Sequence, residues 1–343
     1  MARRILWASL VLAPAALVAR YAFHLGATAL FVLSAIALIP LAWLIGESTE
    51  HAAEHTGHRV GGLLNASFGN APELIIALFA IADGLPGVVR GSLTGSVVSN
   101  ILLVLGVAMI AGGDGKVDAR SLRWQLAAVM GAVLLILIPS VPAWNGGSHE
   151  RHSLFLISIP VAAVLLAAYL LITFRNLRMH RAAERSEPSE TAWTLKKAIV
   201  MLGIATAATA FVSEILVHSL DEFGHAVGLN EFFIAVVIVA IVGNAAEHGG
   251  AIVIARRGNT ELATEIAVTS SMQVAVFLIP VVTLLSWIVG RGLPLSFRAI
   301  EVVTMAVAAT FATLVVWDGR SRRWEGFLLV AVYGLAVVWY ALA

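Results

Sequence analysis

Apolar residues run along this chain in long blocks separated by short polar segments. The blocks lie at 5–23, 27–46, 60–83, 91–112, 121–140, 153–174, 197–217, 231–255, 262–288, 298–317 and 324–342. Most are close to the ~20 residues that a helix needs to cross the hydrocarbon core of a bilayer. Lipid offers a bare backbone no hydrogen bonds, so such blocks must be helices; a β-barrel would show short alternating segments instead. The pattern predicts an all-α, polytopic membrane protein with about eleven transmembrane helices. Arg3, Arg4 and the Ala-Leu-Val-Ala at 16–19 give the first block some features of a cleaved leader. Its length and the spans that follow read it instead as a first transmembrane helix.

Composition excludes the soluble alternative. Of 343 residues, 59% are hydrophobic and only 13% charged, with mean hydropathy +0.91, against roughly 25% charged in an average globular chain. The 22 Lys and Arg are dispersed and the net charge is +1, which argues against a nucleic-acid partner. The chain has no cysteine, so disulfides, thiolate metal sites and cysteine nucleophiles are excluded. With the N-terminus placed in the cytoplasm, seventeen of the 22 basic residues fall in inside segments, and the positive-inside rule then puts the C-terminus outside. A bacterial or archaeal plasma membrane is the expected location.

The longest polar segment, RNLRMHRAAERSEPSETAWTLKK at 175–197, carries Pro188 between acidic residues and reads as a cytoplasmic linker. It leaves six apolar blocks before it and five after, which invites a search for two related halves. At an offset of 174 residues, FGNAPELIIA at 68–77 matches VGNAAEHGGA at 242–251. Seven identities fall in 28 ungapped positions: Gly69 with Gly243, Asn70 with Asn244, Ala71 with Ala245, Glu73 with Glu247, Ala77 with Ala251, Gly84 with Gly258 and Ser96 with Ser270. The charge count runs the two spans in opposite directions, so the repeats are inverted. Inverted halves with locally broken helices are the signature of an alternating-access transporter. Pro72 removes a donor and frees the carbonyl of Phe68, and Gly69 and Gly243 loosen the helix further, so backbone oxygens become available. Helix packing alone would explain the small residues but not two carboxylates.

An ionisable group inside a membrane is costly unless it is neutralised or meets a counter-ion, which makes Glu73 and Glu247 the candidate site. Together they would supply two charges and hard oxygen ligands, with backbone carbonyls and the amides of Asn70 and Asn244 adding neutral oxygens. Such donors suit Ca²⁺, whereas Mg²⁺ demands stricter octahedral geometry. When the cation leaves, neighbouring carboxylates in a low dielectric must take up protons. One pair of acids then binds either calcium or protons, and the competition couples the two fluxes. His248 is placed to assist proton transfer. Ser96 and Ser270 follow their glutamates by the same 23 residues, and Asn100 and Gln273 bring amides to the same two spans. Gly91, Ser92, Gly95, Ser96 and Ser99 form a small-residue face suited to close helix approach.

These residues resemble the calcium/proton antiporters, the cation/proton-exchanger branch of the calcium/cation antiporter superfamily. GNAPELI at 69–75 and GNAAEH at 243–248 look like that branch's two signature repeats, and GGLLNASFGNAPELI at 61–75 is an especially close match. The resemblance covers nearly everything from the second span onward. It implies a variable first helix (1–23), a five-helix repeat (24–174), a linker (175–196) and an inverted five-helix repeat (197–343). It also implies Glu73 and Glu247 as shared calcium and proton ligands, supported by Gly69, Asn70, Gly243 and Asn244 and lined by Ser96, Asn100, Ser270 and Gln273. Thr269 departs from the pattern where glycine is expected before the paired serines, and the long acidic linker of some members is absent.

Other polar features have simpler readings. GESTEHAAEHTGH at 46–58 brings Glu47, Glu50, Glu54, His51, His55 and His58 to the inner end of the second span, as a cytoplasmic vestibule that attracts cations or senses pH. His51, Glu54 and His55 also form the H-x-x-E-H pattern of inverzincin metalloproteases, the one enzyme reading, which lacks a third ligand and leaves the repeat unexplained. Glu214 is a candidate counterpart of Glu50. Asp83, Arg90, Glu261 and Glu265 read as hydrated span ends, and Glu301 as the partner of Arg298 in an interfacial ion pair. The expectation is a non-enzymatic, cofactor-free antiporter in the lipid bilayer that exchanges cytosolic calcium for protons. A sodium-coupled exchanger and a channel are the transport alternatives; oligomeric state is not read from the sequence.

Overall fold

The computed structural model describes residues 2–145, 147–179 and 193–343, without the side chains of 2, 57–63, 65–67 and 176–179. The expected linker therefore lies largely outside the described residues, as does the side chain of His58. In chain order the elements are α1 (Ala2–Ser9), α2 (Leu12–Tyr21), α3 (Ala27–Phe68), α4 (Ala71–Ala82), α5 (Pro86–Val98), α6 (Leu105–Gly112), β1 (Gly115–Lys116), α7 (Ala119–Trp144), α8 (His152–Met179) and α9 (Leu195–Val227). They continue with α10 (Glu231–Phe233), α11 (Ala240–Gly243), α12 (Ala245–Arg256), α13 (Thr260–Gln273), α14 (Ile279–Ile288), α15 (Ala299–Val315), β2 (Arg320–Ser321) and α16 (Arg323–Leu342). Three π-helical stretches, Ser99–Val104, Ile234–Val239 and Val274–Leu278, join α5 to α6, α10 to α11 and α13 to α14.

The all-α expectation holds apart from a two-residue ribbon pairing Gly115 with Ser321 and Lys116 with Arg320. Among the described residues, eight helices are long and apolar enough to cross a membrane, or nine if the bent pair Glu231–Gly243 and Ala245–Arg256 is one span. Two shorter apolar helices, Ala71–Ala82 and Ala299–Val315, account for the remaining blocks. The clearest departure concerns the block expected at 60–83. Its first part extends α3 without interruption, because the intervening polar segment consists largely of residues compatible with a helix; only α4 remains as a separate element.

By contacts the chain forms two compact units, each drawing on both sides of the linker. The first comprises residues 1–79, 168–228 and 242–246. Its centre is α3 against α9, where Leu44, Ile45 and Ala52 meet Ala198, Leu202 and Ala205, with Trp193 and Ala71 in the same cluster. Alanines on both helices keep the backbones close, and Phe31 stacks on Phe223 at 4.1 Å between ring centroids. Farther along, Ala16 and Ala19 of α2 pack with Leu30 and Ile215.

The second unit comprises residues 80–167, 229–241 and 247–343. Glycines set its closest helix contacts. A Cβ on Gly95 would lie 1.9 Å from the Val236 carbonyl oxygen, and one on Gly106 would lie 2.8 Å from that of Gly326. The small-residue face at 91–99 thus does what its composition predicts, admitting the stretch that contains Val236 to backbone contact. The irregular segment before α15 is laced down by serines on the helices: Leu295 N–H donates to Ser158 Oγ at 2.8 Å and Phe297 N–H to Ser140 Oγ at 3.0 Å. These bonds satisfy backbone that has no helix of its own.

Two polar residues differ from expectation. Arg90 is buried and donates to Glu150 at 2.7 Å, rather than sitting hydrated at a span end. Burial alone would raise the pKa of Glu150, but hydrogen bonds from Arg90 and Ser148 outweigh it and hold the carboxyl below its ordinary value. Glu301 is buried, and its carboxylate accepts the backbone N–H of Arg298 at 2.5 Å, closing the first turn of α15. The Arg298 guanidinium instead lies over Phe232, 4.8 Å from the ring centroid. A helix N-terminus supplies the donors that a buried carboxylate needs, so the cap replaces the expected ion pair.

Candidate functional site

The two Gly-Asn motifs occur at helix breaks. Helix α3 ends at Phe68, Gly69 and Asn70 form a turn, and α4 begins at Ala71. Pro72 falls in the first turn of α4, where its missing N–H forfeits no helical bond. Its neighbour Glu73 occupies the same turn. In the second motif, α11 ends at Gly243 and α12 begins at Ala245, with the chain bent 58° across Asn244. Glu247 again lies in the first turn. Each carboxylate therefore stands at the positive end of a helix dipole, where negative charge is favoured. The breaks thus divide the apolar blocks, and the glutamates start the second pieces.

In the first unit, Glu73 is buried, as are Asn70 and Asn244. The Asn70 carbonyl accepts the N–H of Leu74 at 3.0 Å, which fastens the start of α4. Glu73 lies directly against Gly243: a Cβ there would come within 3.1 Å of Glu73 Cγ and 3.5 Å of Oε1. The glutamate of the first motif thus rests on the glycine of the second, a use for Gly243 that repeat analysis alone does not reveal.

The second unit holds Glu247 in a directed hydrogen-bond chain. Ser270 Oγ–H donates to Glu247 Oε2 in a short bond, and Asn100 Nδ2–H donates to Ser270 Oγ at 2.9 Å. Asn100 Oδ1 lies 2.9 Å from His248 Nε2. An amide oxygen can only accept, so His248 carries a proton on Nε2 and donates it. Asn100, His248 and Ser270 are buried, while Glu247 is half-buried. Ser96 is buried on α5, and half-buried Gln273 closes α13.

Asn100 belongs to one π-helical stretch, and Gln273 immediately precedes another. Widened turns of this kind concentrate at functional sites because they redirect side chains and leave helix hydrogen bonds irregular. Sequence reasoning missed all three, since no residue pattern in these apolar runs distinguishes a π turn from an α turn. The link from Asn100 to His248 was missed too, although both residues were singled out separately.

The acidic and histidine-rich face of α3 has other partners. His51 stacks on Trp193 at 4.7 Å and lies 3.6 Å from Glu47 and 3.5 Å from Glu54, while Arg3 pairs with Glu47. His55 Nε2 meets the Trp193 carbonyl oxygen at 2.5 Å, so the two histidines of the protease-like pattern address different groups. Glu50 is exposed and Glu214 half-buried on α9. All of these residues belong to the first unit.

The chain matches the sodium/calcium exchanger protein family over residues 26–178 and 197–342, and it belongs to that family. It is 37% identical over 331 residues to the Ca(2+)/H(+) antiporter ChaA of Bacillus subtilis (strain 168), covering 93% of each chain. It is 34% identical over 344 residues to the vacuolar calcium ion transporter of Schizosaccharomyces pombe, covering 96% of this chain and 82% of that one. Among solved structures, native YfkE superposes with TM-score 0.85 at 32% identity, over 98% of this chain and 100% of that one. The H+/Ca2+ exchanger CAX shares the fold, with TM-score 0.78 at 18% identity over 99% of this chain and 92% of that one. The protein is a membrane transporter, and the metalloprotease reading of His51, Glu54 and His55 falls away.

Proposed function

We propose that this member of the sodium/calcium exchanger family exchanges calcium for protons, with Glu73 and Glu247 as the groups that bind either one. The full-length likeness to relatives named as Ca(2+)/H(+) antiporters supports the substrates. The observation that carries the assignment of the site is the matched placement of the two acids, each in the first turn after a Gly-Asn break.

Calcium neutralises both carboxylates and takes its remaining oxygens from neutral groups such as Asn70, Asn244 and backbone carbonyls. On its departure, protons replace it. Ser270 donates to Glu247 and has to reorient when calcium claims that oxygen; its bond from Asn100 keeps the hydroxyl near the site. Inverted halves then expose the acids alternately to the two sides. Cytosolic calcium leaves as protons enter, with the N-terminus inside and C-terminus outside. Two protons per calcium would make the cycle electroneutral, and a third would let membrane potential contribute about 2.3 kcal/mol per charge per 100 mV.

Calcium uptake into everted membrane vesicles tests this reading. Uptake should follow an imposed pH gradient and be unaffected by an imposed sodium gradient. Uptake driven by sodium alone would refute the proton coupling and favour the sodium-coupled alternative.

A further inference from the structure

Thr269, Ser270 and Ser271 are consecutive on α13, and each hydroxyl takes a different neighbour. Ser270 donates to Glu247, Ser271 Oγ–H donates to the Val97 carbonyl of α5 at 2.9 Å, and Thr269 Oγ1–H donates to Gln125 Oε1 of α7 at 2.7 Å. Successive residues are about 100° apart around a helix, so the three bonds hold α13 from three directions.

The Thr269 bond belongs to a larger ladder. Gln125 Nε2–H donates to Ser121 Oγ at 3.1 Å, and Ser121 Oγ–H donates to Glu265 Oε1 at 2.8 Å. Glu265 and Thr269 are one turn apart on α13, as Ser121 and Gln125 are on α7. The path leaves α13 at Glu265, climbs a turn of α7 and returns at Thr269. Every donor points toward the Glu265 carboxylate. The amide of Gln125 interrupts any simple proton relay, so the ladder holds the helices rather than conducting protons.

Such a hold matters here because α13 gives way to the π-helical stretch Val274–Leu278 only a few residues beyond Thr269. Apolar contacts between helices in lipid discriminate weakly among rotations, whereas hydrogen bonds do so through direction. We propose that Thr269, Gln125, Ser121 and Glu265 are positioning residues: they set the rotation of α13 that presents Ser270 to Glu247. This role rests on the reading of Glu247 as a cation ligand. It also gives a purpose to the threonine that stands where the family resemblance leads one to expect glycine.

The test is the KM for calcium in pH-driven vesicle uptake, with transport normalised to the amount of folded protein. Thr269→Val keeps the shape and removes the donor; Gln125→Leu breaks the same bond from α7. Each should raise KM about fivefold, with a smaller change in kcat, as expected for losing one hydrogen bond that orients a ligand. Thr269→Ser should restore KM, and the double variant should be no worse than either single one. Unchanged KM in both single variants, or effects that multiply in the double, would overturn the positioning role. Should Thr269→Val fail to accumulate, Gln125→Leu decides alone. A wild-type protein without pH-driven calcium uptake would overturn the proposed exchange and this role with it, whereas wild-type uptake with unchanged variant KM overturns only the ladder's role.

Discussion

Helices α4 and α12 each span twelve residues and carry a glutamate in the first turn, directly after a Gly-Asn break, yet the two carboxylates have different surroundings. Glu73 is buried against Gly243, whereas half-buried Glu247 accepts from Ser270 and connects through Asn100 to His248. The difference begins in single residues. Leu74 follows the first glutamate and His248 the second, so only the second helix offers a ring donor for Asn100. The residue before the matched serine differs as well: Gly95 admits the Val236 carbonyl to its backbone, while Thr269 reaches Gln125. A shared helix break sets where a carboxylate begins, and the residues around it differ between the two halves.

The strongest challenge to this comparison is to neutralise each acid in turn. Glu73→Gln and Glu247→Gln should each reduce pH-driven calcium uptake to background while leaving a folded protein, measured by vesicle transport and size-exclusion chromatography. Wild-type-like exchange by either would remove that residue from the site. Gly95→Thr copies the second half's residue into the first. It forces a side chain onto the Val236 backbone and should destabilise the protein by about 1–3 kcal/mol, visible as a lower thermal midpoint in detergent.

Smaller changes probe the seats of the carboxylates. Gly243→Ala places a methyl 3.1 Å from Glu73 Cγ; it should raise the calcium KM severalfold, by the ~1 kcal/mol cost of a modest side-chain displacement. The protein should otherwise fold normally, and an unchanged KM would show that Gly243 does not constrain Glu73. His248→Gln retains an N–H donor for Asn100 and should transport closer to wild type than His248→Leu does, a difference of about 1 kcal/mol in the apparent barrier. Equal losses in both variants would assign His248 a role beyond that bond.

Glu150, which belongs to neither motif, provides the smallest effect and a control. Its folded pKa is lowered, so its pairing stabilises the protein above the ordinary carboxylate value and loses that contribution as pH falls through the lowered one. The stability gap between wild type and Glu150→Gln should therefore close on acidification. A gap independent of pH would show that Arg90 gains nothing from the charge.

Much of this arrangement is legible before any coordinates. Lipid solvation forces the long apolar blocks into helices, and the scarcity of charge makes a repeated Gly-Asn-x-x-Glu conspicuous. Breaks at Gly69–Asn70 and Asn244 follow from glycine, proline and the need to expose backbone oxygens. The continuity of α3 was harder to read, because a polar helical segment resembles a polar loop when only hydropathy marks the ends of spans. Arg90 and Glu301 were misplaced for a related reason: position near a block's end does not reveal that Glu150 or a helix N-terminus will satisfy the buried charge.

The sequence by itself determined the membrane class, the helical backbone, the paired motifs and the acids within them, because each follows from local composition or from the chain's likeness to itself. Tertiary structure decided that Glu73 rests on Gly243, that Ser270 and Asn100 link Glu247 to His248, and that Thr269 reaches Gln125. These relations join residues distant in the chain through specific directions of approach. Packing and helix rotation set those directions, and neither is written in hydropathy or spacing.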